Sequence, residues 1–359
     1  MGRTTRCLAA IAIVATMLGA PMSGRAAGER PKLKLAVSIY AGWMPHYFAK
    51  DTGVYKKWGD RYGLDIEVVE MDYIPSVEAY VAQQVDAVVL TNMEALDMPA
   101  KGGIDTTVVV MGDYSNGNDA ILTRDIPKVE GLKGQQILLV ELSVSHYLLA
   151  RALETSGLLE SAVKVVNTSD ADIAPAFLAD KKARAVVTWN PMVLKIEQSP
   201  GVKRIFDSSQ TPEEILDLLA VNTKTLEKHP ELAEALVGVW YEVMQVMSTP
   251  GPAADKATEQ MAKRSGCTPA EYKAQLRTTA MYWTPQAALE FTKSERLKQK
   301  MDFVRNFCFK HGLLGEDAKS ADVVGISYPD GTVQGAKGNV KLRFSTAFME
   351  KAARGELKK

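Results

Sequence analysis

Cysteine is scarce in this chain. Only Cys7, Cys267 and Cys308 occur in 359 residues, which excludes a disulfide scaffold. Neither sign of charge is in excess: 43 basic side chains meet 43 acidic ones, so no bulk field holds nucleic acid or a membrane surface. The four histidines, His46, His146, His229 and His311, show no metal-ligand spacing. The strings G-x-S-x-G, H-E-x-x-H, C-x-x-C and G-x-G-x-x-G are absent, as is a phosphate-binding Gly-rich loop. No apolar run beyond the amino-terminal segment is long enough to span a bilayer. The sequence therefore predicts no cofactor, no metal and no nucleic-acid partner. It also offers no familiar nucleophile or acid–base motif for an enzyme.

What is present reads as an ordinary globular protein, 46% hydrophobic and 24% charged. The length suits two domains better than one. Residues 1–27 read as a cleaved export signal. Arg3 and Arg6 give a positive start, Cys7 to Ala20 is an apolar run, and small residues place cleavage near Ala26 or Ala27. Cys7 begins the apolar run, the wrong place for a lipid-acceptor cysteine. Losing Arg3, Arg6 and Arg25 would leave 40 basic against 43 acidic residues, a net charge of −3. In an oxidising compartment Cys267 and Cys308 can either pair or remain two buried helical thiols; the sequence leaves both open.

Between Lys32 and Arg204, short Val- and Ile-rich runs alternate with longer amphipathic ones. The predicted strands are 33–40, 65–71, 86–91, 106–111, 119–123, 135–141, 163–167 and 184–188. Helical patterns at 45–58, 76–84, 145–156 and 171–179 separate most of them. This alternation argues for α/β layers with largely parallel sheets. From Thr223 to Gly312 the pattern is nearly all helical. Thr268-Pro269 and Thr284-Pro285 each read as an N-cap followed by proline at the first helical position. The Gly-rich tail from Ala321 carries a turn at Asp330-Gly331.

One arrangement recurs: a strand ends, a short polar or aromatic turn follows, and a helix begins. It occurs at Tyr40–Pro45, Thr91–Glu94, Glu141–His146 and Thr188–Pro191. In a parallel α/β sheet such junctions lie along the carboxyl edge of the strands, where ligands bind and helix N-termini offer free N–H groups. The candidate ligand-binding residues are therefore Trp43, Asn92, Glu94, Asp113, Glu141, Ser143, Trp189 and Asn190, with Ser145 beside them. Plainer readings exist for several. Asn190, Ser143 and Ser145 can be simple helix caps, Glu94 can lie on a solvated helix face, and tryptophans are commonly core.

At these junctions the sequence resembles the periplasmic substrate-binding proteins of ABC importers for nitrate, sulfonate, taurine and bicarbonate-type solutes. The resemblance is carried by Pro45–Leu64, Val129–Gln136, Ser145–Leu158 and Ala179–Pro191, and covers about residues 32–300. Tyr40-Ala-Gly-Trp43-Met-Pro45, Thr91–Leu96 and Gly112–Asp119 are similar to a branch associated with urea and guanidine utilisation. The resemblance implies two α/β lobes with a cleft between them, two chain crossings and a helical C-terminal part. The crossings are expected near Asp113–Asp119 and Leu216–Asn222. Lobe one is then 32–115 plus 223–320, lobe two 117–217, and 321–359 a tail. It also implies a monomeric periplasmic receptor that hands a small solute to a membrane permease. The contrasting class is an exported enzyme on the same fold.

An oxyanion site should offer N–H donors and often Lys or Arg. The predicted edge instead offers Glu94, Asp113 and Glu141, which suit a cation or a donor-rich amide between tryptophan faces. Guanidinium is the expected ligand, with urea second; an alkanesulfonate, taurine or nitrate is the alternative. Glu141 and Asp113 are the expected acceptors, and Asn92 or Asn190 a donor to a urea carbonyl.

Overall fold

The computed structural model describes residues 1–2 and 30–358. The expected export signal, with Cys7, falls almost wholly outside the described residues. Among the described residues fourteen strands build two sheets. The chain begins in the larger one with β1 (Lys32–Val37), β2 (Asp65–Glu70), β3 (Ala87–Thr91) and β4 (Thr106–Ser115). It crosses to the smaller sheet for β5 (Asp119–Arg124), β6 (Gln136–Leu139), β7 (Lys164–Asn167), β8 (Ala185–Trp189) and β9 (Val202–Asp207). It then returns with β10 (Leu216–Asn222), β11 (Thr279–Met281), β12 (Gly325–Ser327), β13 (Val333–Gln334) and β14 (Val340–Phe344). The larger sheet runs β13-β12-β14-β4-β10-β3-β1-β2, with β11 on β4; the smaller runs β7-β6-β8-β5-β9.

Sequence explains the order. β3 and β10 are buried at every position, as near-continuous apolar runs demand of central strands. β2 mixes exposed and buried positions and forms an edge. The sheets are less parallel than the sequence suggests. β5 and β10 run antiparallel to both their neighbours, because each enters its sheet from the other one and arrives head-on. The helix expected over 45–58 is two, Met44–Asp51 and Val54–Tyr62. They break at Gly53, whose φ of +77° favours glycine. The tail hairpin forms at Asp330-Gly331, and β14 pairs in parallel with β4, so the tail extends the larger sheet.

The passage between sheets takes only Asn116–Asn118 outward and residues 208–215 back. Leu216–Asn222, expected at the return crossing, is itself a strand of the larger sheet. The two passages are tied together. Ser115 Oγ lies 2.7 Å from Ser208 Oγ, Gly117 N donates to Ser208 Oγ at 2.8 Å, and Ser115 Oγ donates to Asp119 Oδ2 at 2.5 Å. Val140, Val144, Tyr147 and Trp189 of the smaller half pack in the same hydrophobic cluster as β1, β3, β4 and β10. Burial of those side chains stabilises the contact by roughly 1.5–3 kcal/mol each. Thr268 forms a full capping box with Glu271, and Thr284 Oγ1 accepts from Ala287 N at 3.2 Å, as their sequence positions imply. Cys267 and Cys308 are free: Cys308 is buried in a helix, while Cys267 sits half-buried in a turn, not a helix.

Candidate functional site: an aromatic cavity with buried carboxylates

The four strand-to-helix junctions converge. After β1 the chain makes a 3-10 turn, Ala41–Trp43, leading into Met44–Asp51. Gly42 is required there, since a Cβ would lie 2.6 Å from Asp113 Oδ2 and 2.7 Å from the Tyr40 ring. After β3, Thr91 Oγ1 caps the Asn92–Ala95 turn through Met93 N. After β6, Ser143 Oγ caps the Val144–Thr155 helix through Ser145 N. After β8 comes Trp189.

Between them lies a narrow cavity of about 20 Å³, room for roughly one water molecule with the rings as they stand. Four rings line it, Tyr40, Trp43, Tyr73 and Trp189, together with Thr91, Val144 and Ile215 and the carboxylates of Asp119 and Asp217. Tyr73 links the two tryptophans, with ring centroids 5.4 Å from Trp43 and 5.8 Å from Trp189. Tyr40 meets Trp43 edge-on at 5.2 Å. None of the lining residues is Lys, Arg or His.

The carboxylates follow from strand register. On β10, Asp217 pairs with Thr91 of β3 on one side and with Asp113 of β4 on the other. Asp119 opens β5 opposite Trp189, which closes β8. Burial pushes the Asp113 and Asp119 carboxyls up to about 7, and Asp217 well above the usual range, with the charge of Asp113 adding to the rise. Asp113 Oδ2 and Asp217 Oδ2 are buried with no N–H or O–H donor. Glu94 is the exception among the acids: it is fully used. Tyr73 Oη donates to its Oε2 at 2.8 Å, Thr91 Oγ1 donates to the same oxygen, and Val144 N donates to Oε1 at 3.3 Å.

The structure brings together Trp43, Trp189 and, one strand behind the cavity wall, Asp113. Glu94 anchors Tyr73 and Thr91 from beneath. Asn92 is a clamp on the return passage, accepting Leu216 N at 3.0 Å and donating to the Glu214 carbonyl at 3.1 Å. Ser143 is a cap, and Asn190 Oδ1 accepts Leu194 N at 3.0 Å, the plainer reading in both cases. Glu141 is exposed and borders an open groove outside the cavity. Tyr40, Tyr73, Thr91, Asp119 and Asp217 are lining residues that the sequence reading did not select. Two signals point to them. Asp217 is the sole charge in the apolar run Ile215–Val221, and Tyr73 follows β2 at the same carboxyl edge as the other junctions.

One group among the described residues has metal-like proximity: His146, Glu160 and His311. Leu142 N donates to His146 Nδ1 at 3.2 Å, so the ring proton sits on Nε2, which faces Glu160 Oε2 at 3.7 Å. A metal-bound histidine needs the opposite arrangement, with the far nitrogen donating; the group does not fit a metal. It is instead a charge cluster, with Lys310 Nζ 3.0 Å and His311 Nε2 2.9 Å from Glu160. No helix among the described residues is long and apolar enough to cross a membrane.

Comparison with known proteins places this geometry in a family. The taurine-binding periplasmic protein of Escherichia coli is 31% identical over 123 residues, which cover 33% of this chain and 38% of that protein. The alkanesulfonate-binding protein of Xanthomonas axonopodis pv. citri, solved with MOPS bound, superposes with a TM-score of 0.68 at 17% identity, over 82% of this chain and 97% of that one. The periplasmic aliphatic sulphonate binding protein of Escherichia coli gives 0.66 at 17% identity, over 81% and 95%. These superpositions establish the periplasmic binding protein fold. The family model described as NMT1/THI5 like matches residues 42–247, more than half of the chain, and the protein belongs to that family.

Proposed function

We propose that this protein is the periplasmic solute-binding component of an ABC importer and that its solute is a small planar cation, guanidinium, with urea the closest competitor. The observation that carries this reading is the cavity lining: four aromatic rings, two buried carboxylates and no cationic side chain. A desolvated cation on an aromatic face gains about 0.5–2 kcal/mol, and a carboxylate accepts two guanidinium N–H groups in parallel. Two grooves that share Asp72, next to Tyr73, and Asp170 support it. Glu70, Asp72, Asp170 and Glu271 border one, and Asp72, Asp97, Glu141 and Asp170 the other, against Lys195 and Lys101. A cleft lined mainly by one sign of charge raises the local concentration of its counter-ion. The chain would work as two lobes, 32–115 with 216–358 and 119–207, closing over the solute by a hinge motion, and would pass it to a permease.

The second reading, an alkanesulfonate, taurine or nitrate, is favoured by the likeness to the taurine-binding protein. The helix N-terminus that would receive an anion, at Val144, already holds the carboxylate of Glu94. The deciding experiment is calorimetry of the protein lacking residues 1–27 against guanidinium, urea, taurine and nitrate. Guanidinium should bind most tightly. Tight taurine or nitrate binding with no guanidinium heat would replace the first reading by the second.

A further inference from the structure

Asp113 and Asp217 are buried cross-strand partners on β4 and β10, a pairing that sets two carboxyl groups side by side. A hydrogen bond between two carboxyl groups needs a proton on one of them. No other donor reaches their Oδ2 atoms, and Tyr40 Oη stands 3.4 Å from Asp113 Oδ1. The other titratable groups acting on the pair are Asp119 and the phenols of Tyr40, Tyr272 and Tyr282, none of them a cation. Two buried like charges directly opposed in a sheet are destabilising, so something positive must sit between or beside them. Among the described residues no cationic side chain supplies that charge, and a proton shared by the pair does so without further space.

We infer that the cavity exchanges this proton for its cation. Resting on the cation reading above, the exchange is balanced as follows. The pair holds one shared proton when the cavity lacks a cation. A monocation entering beside Asp217 and Asp119 supplies the compensating charge. The carboxyl O–H then breaks, its electron pair stays on the oxygen, and the proton leaves to water. Net charge in the site is unchanged, and no other bond is made or broken. Raised carboxyl affinities for protons at Asp113 and Asp217 agree with this geometry.

The test is calorimetry of guanidinium chloride binding at pH 6 and 7, in two buffers of different ionisation enthalpy. Expected is release of about one proton per guanidinium from the pair, with a further share from Asp119, and affinity rising by about tenfold or more over that pH unit. Urea, which is uncharged, should release none. In Asp113→Asn the amide donates to Asp217 without a titratable proton, so guanidinium should still bind and the release should fall by about one proton, leaving only the contribution of Asp119. If Asp113→Asn does not fold, the buffer and pH dependence of the parent decide alone. Guanidinium binding with no proton release overturns the exchange and leaves the cation reading standing. Release undiminished in Asp113→Asn assigns the proton elsewhere and also overturns it. Failure of guanidinium to bind the parent at either pH removes both.

Discussion

Glu94 Oε1 accepts the backbone N–H of Val144 at 3.3 Å. One partner follows β3 of the larger sheet; the other starts a helix of the smaller half. A carboxylate at a helix N-terminus satisfies an orphan donor and interacts favourably with the helix dipole. An anionic solute at this helix end would have to displace the Glu94 carboxyl group. Burial raises the Glu94 carboxyl above its ordinary range, against the hydrogen bonds from Thr91 and Tyr73 that hold it down. Replacing Glu94 by Ala leaves Tyr73 Oη, Thr91 Oγ1 and Val144 N short of an acceptor. Unfolding in urea should show a loss of about 1–3 kcal/mol. The same variant, titrated with nitrate, should gain weak anion binding that the parent lacks.

Asp217 is the acceptor on the cavity wall with a free oxygen. Asp217→Asn should weaken guanidinium by about 2–5 kcal/mol, the usual loss for a buried charged acceptor, and urea by much less. Glu141→Gln, on the open groove, is the control and should shift neither affinity. A loss of guanidinium binding in Glu141→Gln with none in Asp217→Asn would move the site out of the cavity.

Trp43 and Trp189 should report occupancy. Both are buried at 5% exposure and both touch Tyr73. Ligand-induced change in tryptophan fluorescence should shrink in Trp43→Phe and in Trp189→Phe. An undiminished change in both variants would show them to be core alone.

Stability of the ligand-free protein should fall as pH rises. Asp113 and Asp119 are pushed by burial up to about 7, above the ordinary aspartate range of about 3.9. The folded state binds their protons more tightly than the unfolded one. Their contribution is therefore complete below about pH 4 and is lost as pH rises towards 7. Thermal melts across that window should show this decline superposed on the titration of other groups. It should be shallower in Asp119→Asn, and an identical slope there would assign the pH dependence elsewhere.

Glu160 joins the two halves without touching the cavity. It receives Lys310 and His311 from the end of the Glu295–Lys310 helix, whose Phe307 also meets Tyr147 at 5.1 Å. Glu160→Gln should lower solute affinity two- to fivefold, about 0.5–1 kcal/mol, as partly exposed ion pairs allow. Small-angle scattering should show a more open ligand-free protein. An unchanged profile and affinity would make the cluster a bystander to closure.

Much of this was legible in sequence because it depends on local pattern. The strands up to 189, the capped helices at Thr268 and Thr284, and the junctions carrying Trp43 and Trp189 all follow from periodicity and turn chemistry. What escaped depends on register. Asp217 faces Asp113 only because β10 enters the larger sheet antiparallel between β3 and β4, and nothing local to Leu216–Asn222 announces its neighbours. Glu141 shows the converse. It stands at a junction by sequence, but the chain turns at Leu142, with φ +61°, and its side chain stays in solvent. His146 and His311 lie far apart in the sequence and become neighbours, ring centroids 5.0 Å apart, only through packing of the two halves.

The short passages between the sheets bear on how capture would proceed in time. Asp119 is the first strand residue after the outward passage, and Asp217 the second after the return. In a rotation about tied linkers an atom moves in proportion to its distance from the axis. These two carboxylates sit beside the passages, so their separation would change little if the halves swing as proposed. Tyr73, whose N–H is held by Asp170 Oδ2 of the opposite half at 3.1 Å, lies further along the lever. If the cavity takes a cation as proposed, the cation would lodge on a socket that the swing leaves in place, with Trp189, the cross-strand partner of Asp119, at the same end and Tyr73 arriving afterwards as its cover. Encounter and residence would then be governed by different residues: the acids would set how often a solute stays long enough to be trapped, and Tyr73 how long it is kept.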